Sequence, residues 1–599
     1  MNCCLTRLFT ITVRLRTVLL FFCITCCLPA VKAGDIYVSI KGSDTGDGTA
    51  ASPLKTLDMA LRTAREWRRL GDARTKGGIN ILMAPGEYVI DRPVYLRPED
   101  SGTPQSPTRI VGQGDVRLSG GMRLTGWQPV SGSVPTLVAD APVKDGRALR
   151  VRQLWTGGRK ASPASLFGEG KMKRLTGFNT QSHTMTIPSD SRHILEHVAE
   201  CEGMEMQVHQ RWAIALLRVR EMKTAGDGWE LSFHEPESRL EFEHPWPQPV
   251  IGGEKGNSSF NLFGRPEFLD EAGEWWQDTG TGAVRYCPRT GETAGNLDAV
   301  VPFTERLMTV EGCEQNPVHD IIIQGITFQY AGWTAPLREG HVTLQGGFPL
   351  IDAYKLAQAG LPWNANLENQ AWIRRPESAV SVSWARHLAF TGCTFTALAA
   401  TGLDLVTGCK DIEITGNQFH DIGGTALLMG SFAEGPTEVH RPYRASDEAY
   451  CERLTVRDNT VTDATNEDWG AVGIGAGFVR HCRIVRNEVA RVNYSGICVG
   501  WGWNTDACGM RDNHIDSNYV HHFARQLYDA GGIYTLSNQP GSTIKGNRID
   551  SIGPAPYATN DRGFYIYLDE ATDGYTISGN RCTEEKYGDN KPGPDVRWE

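Results

Sequence analysis

The sequence predicts an all-β chain whose C-terminal half is a parallel β-helix, a solenoid in which each coil buries its interior against the next. Three observations carry that expectation. Glycine is abundant, 66 of 599 residues, and charge is ordinary, which favours turn-rich β structure over helical bundles or disorder. A strand–Asn–strand unit recurs, as in Ile412-Glu-Ile-Thr-Gly-Asn-Gln-Phe419, Leu454-Thr-Val-Arg-Asp-Asn-Thr-Val461, Ile544-Lys-Gly-Asn-Arg-Ile549 and Ile577-Ser-Gly-Asn-Arg-Cys582. The aligned asparagines (Asn417, Asn459, Asn487, Asn518, Asn547 and Asn580) lie 28 to 42 residues apart, one coil plus a loop of variable length. Propeller blades of about 40–50 residues fit these intervals poorly. Asparagine tolerates a left-handed turn and its amide can bond neighbouring coils, so these residues are assigned to structure and not to catalysis.

The other elements follow in order. Residues 1–33 have the form of a secretory signal: Arg7, Arg14 and Arg16 precede a short apolar run from Val18 to Cys27, and Val31-Lys32-Ala33 supplies a cleavage point. That run is too short for a comfortable membrane span and no later segment is long enough, so a secreted, periplasmic or cell-surface protein is expected. Residues 34–124 hold the strand Asp35–Ser39 and then an amphipathic helix. Leu54, Leu57, Leu61, Ala64 and Trp67 recur at helical spacing and predict a structural cap. Short strands at 79–83, 88–90, 94–96, 109–111 and 116–118 begin the solenoid. From 125 to 305 the texture turns Trp- and Pro-rich, and a hairpin is expected where Glu274–Gln277 and Ala283–Tyr286 flank Asp278-Thr-Gly-Thr-Gly282. This segment is read as an inserted β-rich, sandwich-like domain. Residues 306–599 carry the ladder and the candidate site.

Charge and cysteine usage exclude several classes. The leader holds four basic residues (Arg7, Arg14, Arg16, Lys32) and no acid, so its removal from a chain of net charge −10 leaves about −14, which argues against nucleic acid as a partner. Ten cysteines remain beyond the leader with no C-x-x-C pair, so no zinc site is expected. No phosphate-binding loop, H-E-x-x-H or G-x-S-x-G elbow is present, and no metal or cofactor is expected.

The candidate chemistry lies in two adjacent repeats, Asp529-Ala-Gly-Gly-Ile-Tyr-Thr535 and Ile566-Tyr-Leu-Asp-Glu570. Tyr534 and Tyr567 both stand 13 residues before their ladder asparagine, so the two strands are expected in register. Coils stack about 4.8 Å apart. Neighbouring coils can therefore present two carboxylates at the roughly 5–5.5 Å or 6.5–9.5 Å separations used in glycoside hydrolysis. Asp529 and Asp569 are offset along the coil, an offset that closes only if the loop through Gly531-Gly532 folds back. A competing geometry places Asp468 on the same pre-strand column as Asp529, about 9–10 Å away. Asp529 ranks first, Asp569 second and Asp468 third, with Glu570 and Asp561 lower. Trp469, Trp501, Trp503, Tyr534 and Tyr567 are candidates for stacking against sugar, although ordinary packing competes for each. His522 and its neighbour His521 are candidates for proton transfer or hydroxyl binding.

In these pieces the sequence resembles the bacterial right-handed parallel β-helix proteins of glycoside hydrolase family 141. The resemblance runs through Tyr37-Val-Ser-Ile-Lys-Gly-Ser-Asp44, Arg97-Pro-Glu-Asp-Ser-Gly-Thr103, Leu269-Asp-Glu-Ala-Gly-Glu-Trp275, Ser495-Gly-Ile-Cys-Val-Gly-Trp-Gly-Trp503, Asp529-Ala-Gly-Gly-Ile-Tyr534 and Tyr567-Leu-Asp-Glu570. It implies a right-handed β-helix interrupted by a β-rich domain, and an exported enzyme acting on plant-type glycans with α-L-fucosidase- or xylanase-like activity. It also implies Asp529 and Asp569 as the catalytic pair, one the acid and the other the nucleophile or base. A β-helix polysaccharide lyase acting on a uronate-containing glycan, and a non-catalytic glycan-binding or adhesive β-helix, are the alternatives.

Overall fold

The computed structural model describes residues 32–132, 134–191, 193–244, 247–356, 369–435, 437–438 and 446–599; the expected secretory signal lies almost wholly outside the described residues. Among the described residues three parallel sheets of 12, 10 and 10 strands run the length of the solenoid, most coils contributing one strand to each sheet. In the first sheet Ile414, Val456, Ile484, Ile515, Ile544 and Ile577 pair in one column. In the second, Phe328, Phe395, Phe419, Val461, Val489, Val520 and Ile549 do the same. All of these side chains are buried. Alternation along each strand turns every second residue inward, and the parallel register stacks like on like. The aromatic members stack directly, with ring centroids 5.0 Å apart for Phe328–Phe395 and 4.6 Å for Phe395–Phe419.

The asparagine ladder forms as a continuous chain of bonds. The Asn487 side-chain oxygen accepts from the Asn459 backbone N–H (3.1 Å) and amide (2.9 Å), while its own amide donates to the Val456 carbonyl (3.0 Å). The same pattern links Asn417, Asn459, Asn487, Asn518, Asn547 and Asn580. One detail corrects the sequence expectation. The left-handed residue is the one before each asparagine (Gly416, Asp458, Arg486, Ser517, Gly546, Gly579), and the asparagine itself supplies the amide. Replacing Asn487 with alanine strands at least one buried donor at roughly 1–3 kcal/mol each. A destabilisation of about 3 kcal/mol is therefore expected, read as an earlier transition in a denaturant titration.

The helix Leu57–Arg69 buries Leu57, Ala60, Leu61, Ala64 and Trp67, and Thr56 caps its start by accepting from the Met59 N–H. Its arginines are used internally: Arg65 bonds Asp100, and Arg68 bonds Ser106 and Thr108. At the far end, strands Tyr587–Asp589 and Arg597–Trp598 extend the third and first sheets. No helix among the described residues is long and apolar enough to cross a membrane.

The insertion leaves the solenoid along strand Gly121–Leu124, which pairs antiparallel with the returning strand Ala299–Pro302. The insertion is built on two mostly antiparallel eight-stranded sheets, the first of which contains both of these strands. The hairpin of Glu274–Gln277 with Ala283–Tyr286 forms as expected, Trp275 opposite Tyr286. In the second of the two sheets, Glu205–Gln210 pairs with Ala213–Ala225, and a later strand, His341–Val342, adds to that edge. The apolar core of this sheet is shared with Tyr534, Tyr567 and Trp501. These sit on the outer face of the third solenoid sheet, so the insertion covers the very face on which both candidate motifs lie.

Candidate active site

Strand Ala530–Thr535 turns Ile533 into the solenoid and Tyr534 outward; one coil on, Gly563–Leu568 does the same with Ile566 and Tyr567. Tyr534 pairs with Tyr567 in register. Outward residues of a sheet are normally wet, yet here both rings are buried under the insertion, in edge-to-face contact with centroids 5.1 Å apart. Gly531 and Gly532 are required by space. A Cβ on Gly531 would meet the Tyr567 Cβ at 3.0 Å, and one on Gly532 would meet Ile549 Cγ2 at 2.4 Å.

Asp569 follows the second strand directly and is 7% exposed. The Tyr534 hydroxyl and the Trp503 indole N–H (3.3 Å) donate to its Oδ2, and the Asn590 amide donates to Oδ1 at 2.7 Å. All three partners are donors, so Asp569 is held as an acceptor. Asp529 stands before the first strand in the left-handed region (φ 58°), a conformation aspartate tolerates. Its side chain is 15% exposed, and its Oδ1 accepts from the Tyr567 hydroxyl at 3.2 Å with Arg562 Nε 3.4 Å away. Arg562 also donates to the Tyr567 hydroxyl at 2.9 Å. Burial pushes the Asp529 carboxyl above the usual range, and the charge of Asp569 acts in the same direction. Arg562, the Tyr567 hydrogen bond and Arg211 oppose the shift without cancelling it. Burial, reinforced by the Asp569 charge, also holds the Tyr534 phenol far above its usual value, so it stays a donor.

Gln345, from the segment that follows strand His341–Val342, ties the two halves together. Its amide donates to the Tyr534 hydroxyl (2.9 Å) and to the Tyr494 hydroxyl (3.1 Å), and Tyr494 in turn donates to the Asp529 backbone carbonyl at 3.0 Å.

The structure thus brings Asp529, Asp569, Tyr534, Tyr567 and Trp503 into one bonded group, and it revises the part some of these play. Tyr534, Tyr567 and Trp503 reach the carboxylates through hydroxyl and indole N–H groups as hydrogen-bond donors, a role beyond the sugar stacking and ordinary packing that the sequence offers as alternatives. Trp501 is 4% exposed and packed between Phe348, Phe432 and Trp503, so its faces are already covered. Asp468 accepts from the Gly470 N–H and pairs with His341 Nε2, each at 3.0 Å, and makes no bond to the Asp529–Asp569 group. Trp469 packs into the solenoid core. His522 lies exposed on the second sheet, bonded to His521, because the strand Tyr519–Phe523 belongs to a different face of the solenoid. Glu570 pairs with Lys591 and Asp561 with Lys255.

Four participants were not assigned from sequence: Arg562, Tyr494, Gln345 and Asn590. Arg562 occupies the pre-strand position of Asp529 one coil later, where register counting alone leaves Asp561 and Arg562 as alternatives. Asn590 lies beyond the last repeat and Gln345 arrives from 189 residues before Tyr534, where no periodic signal reaches.

Comparison with known proteins meets this geometry. Residues 135–289 match the family model described as the GH141 insertion domain. A solved structure described as a glycoside hydrolase is 39% identical, with a TM-score of 0.90 over 95% of this chain and 96% of that one. The chain belongs to glycoside hydrolase family 141. It is a glycosidase on a parallel β-helix. A structure described as the complex of XylC with xylose is 11% identical over 93% of this chain and 69% of that one, with a TM-score of 0.47. The Streptococcus pneumoniae surface adhesin PfbA is 12% identical over 47% of this chain and 68% of that one, with a TM-score of 0.27. No curated protein sequence matches the chain.

Proposed function

We propose that this family 141 protein is an exported glycosidase that cleaves a glycosidic bond in plant-type oligo- or polysaccharides, α-L-fucosidase- or xylanase-like, with Asp529 as general acid and Asp569 as nucleophile or base. The observation that carries the reading is the contrast between the two carboxyls. Asp529 has a raised proton affinity from burial, the property a general acid needs, while Asp569 is gripped by three donors that orient it. In this mechanism Asp529 gives its proton to the leaving oxygen, and Asp569 attacks the anomeric carbon or activates a water that does so. Arg562 then steadies the Asp529 carboxylate that is left behind.

A panel of aryl glycosides and plant polysaccharides, run on the wild type and on Asp529→Asn and Asp569→Asn, tests the proposal. Unimpaired turnover of the polysaccharides in either variant removes that residue from the mechanism. Gln345→Leu is expected to lower kcat roughly tenfold, about 1.4 kcal/mol, with KM nearly unchanged, because the hydroxyl that orients Asp569 loses its own anchor. A purely structural glutamine would instead lower the melting temperature and leave kcat intact.

A further inference from the structure

A well-formed cavity lies apart from the Asp529–Asp569 group. A cleft of about 1010 Å³ opens where the insertion meets the corners of the solenoid coils, between the hairpin strands around Glu205 and Leu216 on one side and Asp463, Trp469 and Gln526 on the other. Ligand pockets span about 300–1,000 Å³, so this one has room for several sugar units. None of Asp529, Tyr534, Arg562, Tyr567 and Asp569 lines it. Tyr528, between Gln526 and Asp529 in the chain, stacks on His209 with centroids 5.9 Å apart, and His209 Nε2 bonds the Gln526 carbonyl at 2.8 Å.

The cleft is preformed. Lys160 of the insertion bonds Asn466 (2.9 Å) and pairs with Glu467, and the Trp155 indole donates to Asp421 at 2.6 Å, so the two walls are cross-linked. Within the wall Arg152 pairs with Glu205 at 2.6 Å. These pairs cancel charge and leave a lining that is polar but nearly neutral, poorly matched to a polyanion and well matched to hydroxyls that both donate and accept. At the mouth Arg525 and Asp463, 4.0 Å apart and each more than 40% exposed (42% and 48%), supply both kinds of group. Trp276 adds a half-buried ring whose orientation is fixed by its indole bond to the Gly264 carbonyl at 3.1 Å. A flat ring beside such groups is the chemistry that receives the C–H face of a sugar.

We propose that this cleft is a second carbohydrate-binding site, which holds an uncharged oligosaccharide stretch of a glycan apart from the Asp529–Asp569 group. The site retains polymer; it does no chemistry. Affinity electrophoresis of the full chain through gels containing soluble arabinoxylan, xyloglucan or galactomannan tests this. At least one polymer is expected to retard the wild type, with retardation kept in about 0.5 M salt as befits an uncharged ligand. Trp276→Ala and Asp463→Ala should each weaken it at least tenfold, while turnover of a small aryl glycoside stays within twofold. No retardation of the wild type by any of the three, unchanged retardation in a folded Trp276→Ala and in Asp463→Ala, or loss of retardation in salt would each overturn the proposal. Parallel loss of aryl glycoside turnover would overturn it too, by merging the cleft with the catalytic group. The readout is binding, so failure of Asp529 or Asp569 as catalytic residues would leave this result standing.

Discussion

Asp569→Asn is expected to lower kcat by at least about a hundredfold, roughly 2.7 kcal/mol in barrier height. The substitution is isosteric, so the loss reports chemistry: an amide is neither the nucleophile nor the base that the reaction requires. It also has a structural cost that can be foreseen. Tyr534, Trp503 and Asn590 all donate to the two carboxylate oxygens. An asparagine must point its own NH₂ at one of these donors, leaving one buried donor facing another. The variant should therefore melt below the wild type as well as turn over slowly. Steady-state kinetics below the variant's melting transition separate the two effects. A folded Asp569→Asn enzyme with wild-type kcat would end the assignment.

The periodic part of the molecule was legible in sequence because one coil repeats the next. The Asn547 and Asn580 markers set Tyr534 opposite Tyr567 by counting alone, and the pairing is observed. The cap helix was equally plain, since its apolar stripe at Leu57, Leu61, Ala64 and Trp67 needs no tertiary context. The candidate site was legible only where it lies on that ladder. Its two carboxylates and two tyrosines do; Gln345 and Asn590 do not, and nothing local distinguishes their amides from any other. The choice between sugar stacking and ordinary packing for the aromatics stayed open in sequence for the same reason. Alternation placed Tyr534 and Tyr567 on an outer face, and an outer face reads as a sugar platform until the insertion is seen to cover it. Trp501 shows the effect most clearly, being enclosed by Phe348 and Phe432, each from a segment remote from its own repeat. His522 erred in a second way: a solenoid has three outer faces, and sequence alternation does not say which of them carries the site.

Asp529→Asn should behave differently from its partner. As the proton donor, Asp529 matters most when the leaving group is poor. Turnover of an alkyl glycoside or a polysaccharide is expected to fall at least about a hundredfold, and that of an aryl glycoside with an acidic phenol much less. The stability effect has the opposite sign to that of Asp569→Asn. The folded carboxyl has a raised pKa, so the native state holds the proton more tightly than the unfolded chain does. That contribution is fully present below the unfolded value of about 3.9 and is lost as pH rises through the folded value. Asparagine does not titrate and keeps a neutral group in the same buried place. Arg562, left without its partner, has a side chain already 46% exposed and can turn to water. Melting temperatures measured across the acid-to-neutral range should therefore move against the wild type relative to Asp529→Asn as pH rises. A difference that instead grows in favour of the wild type toward neutral pH would mean that the fold stabilises the ionised carboxylate, and Asp529 would then be the wrong residue to call the acid.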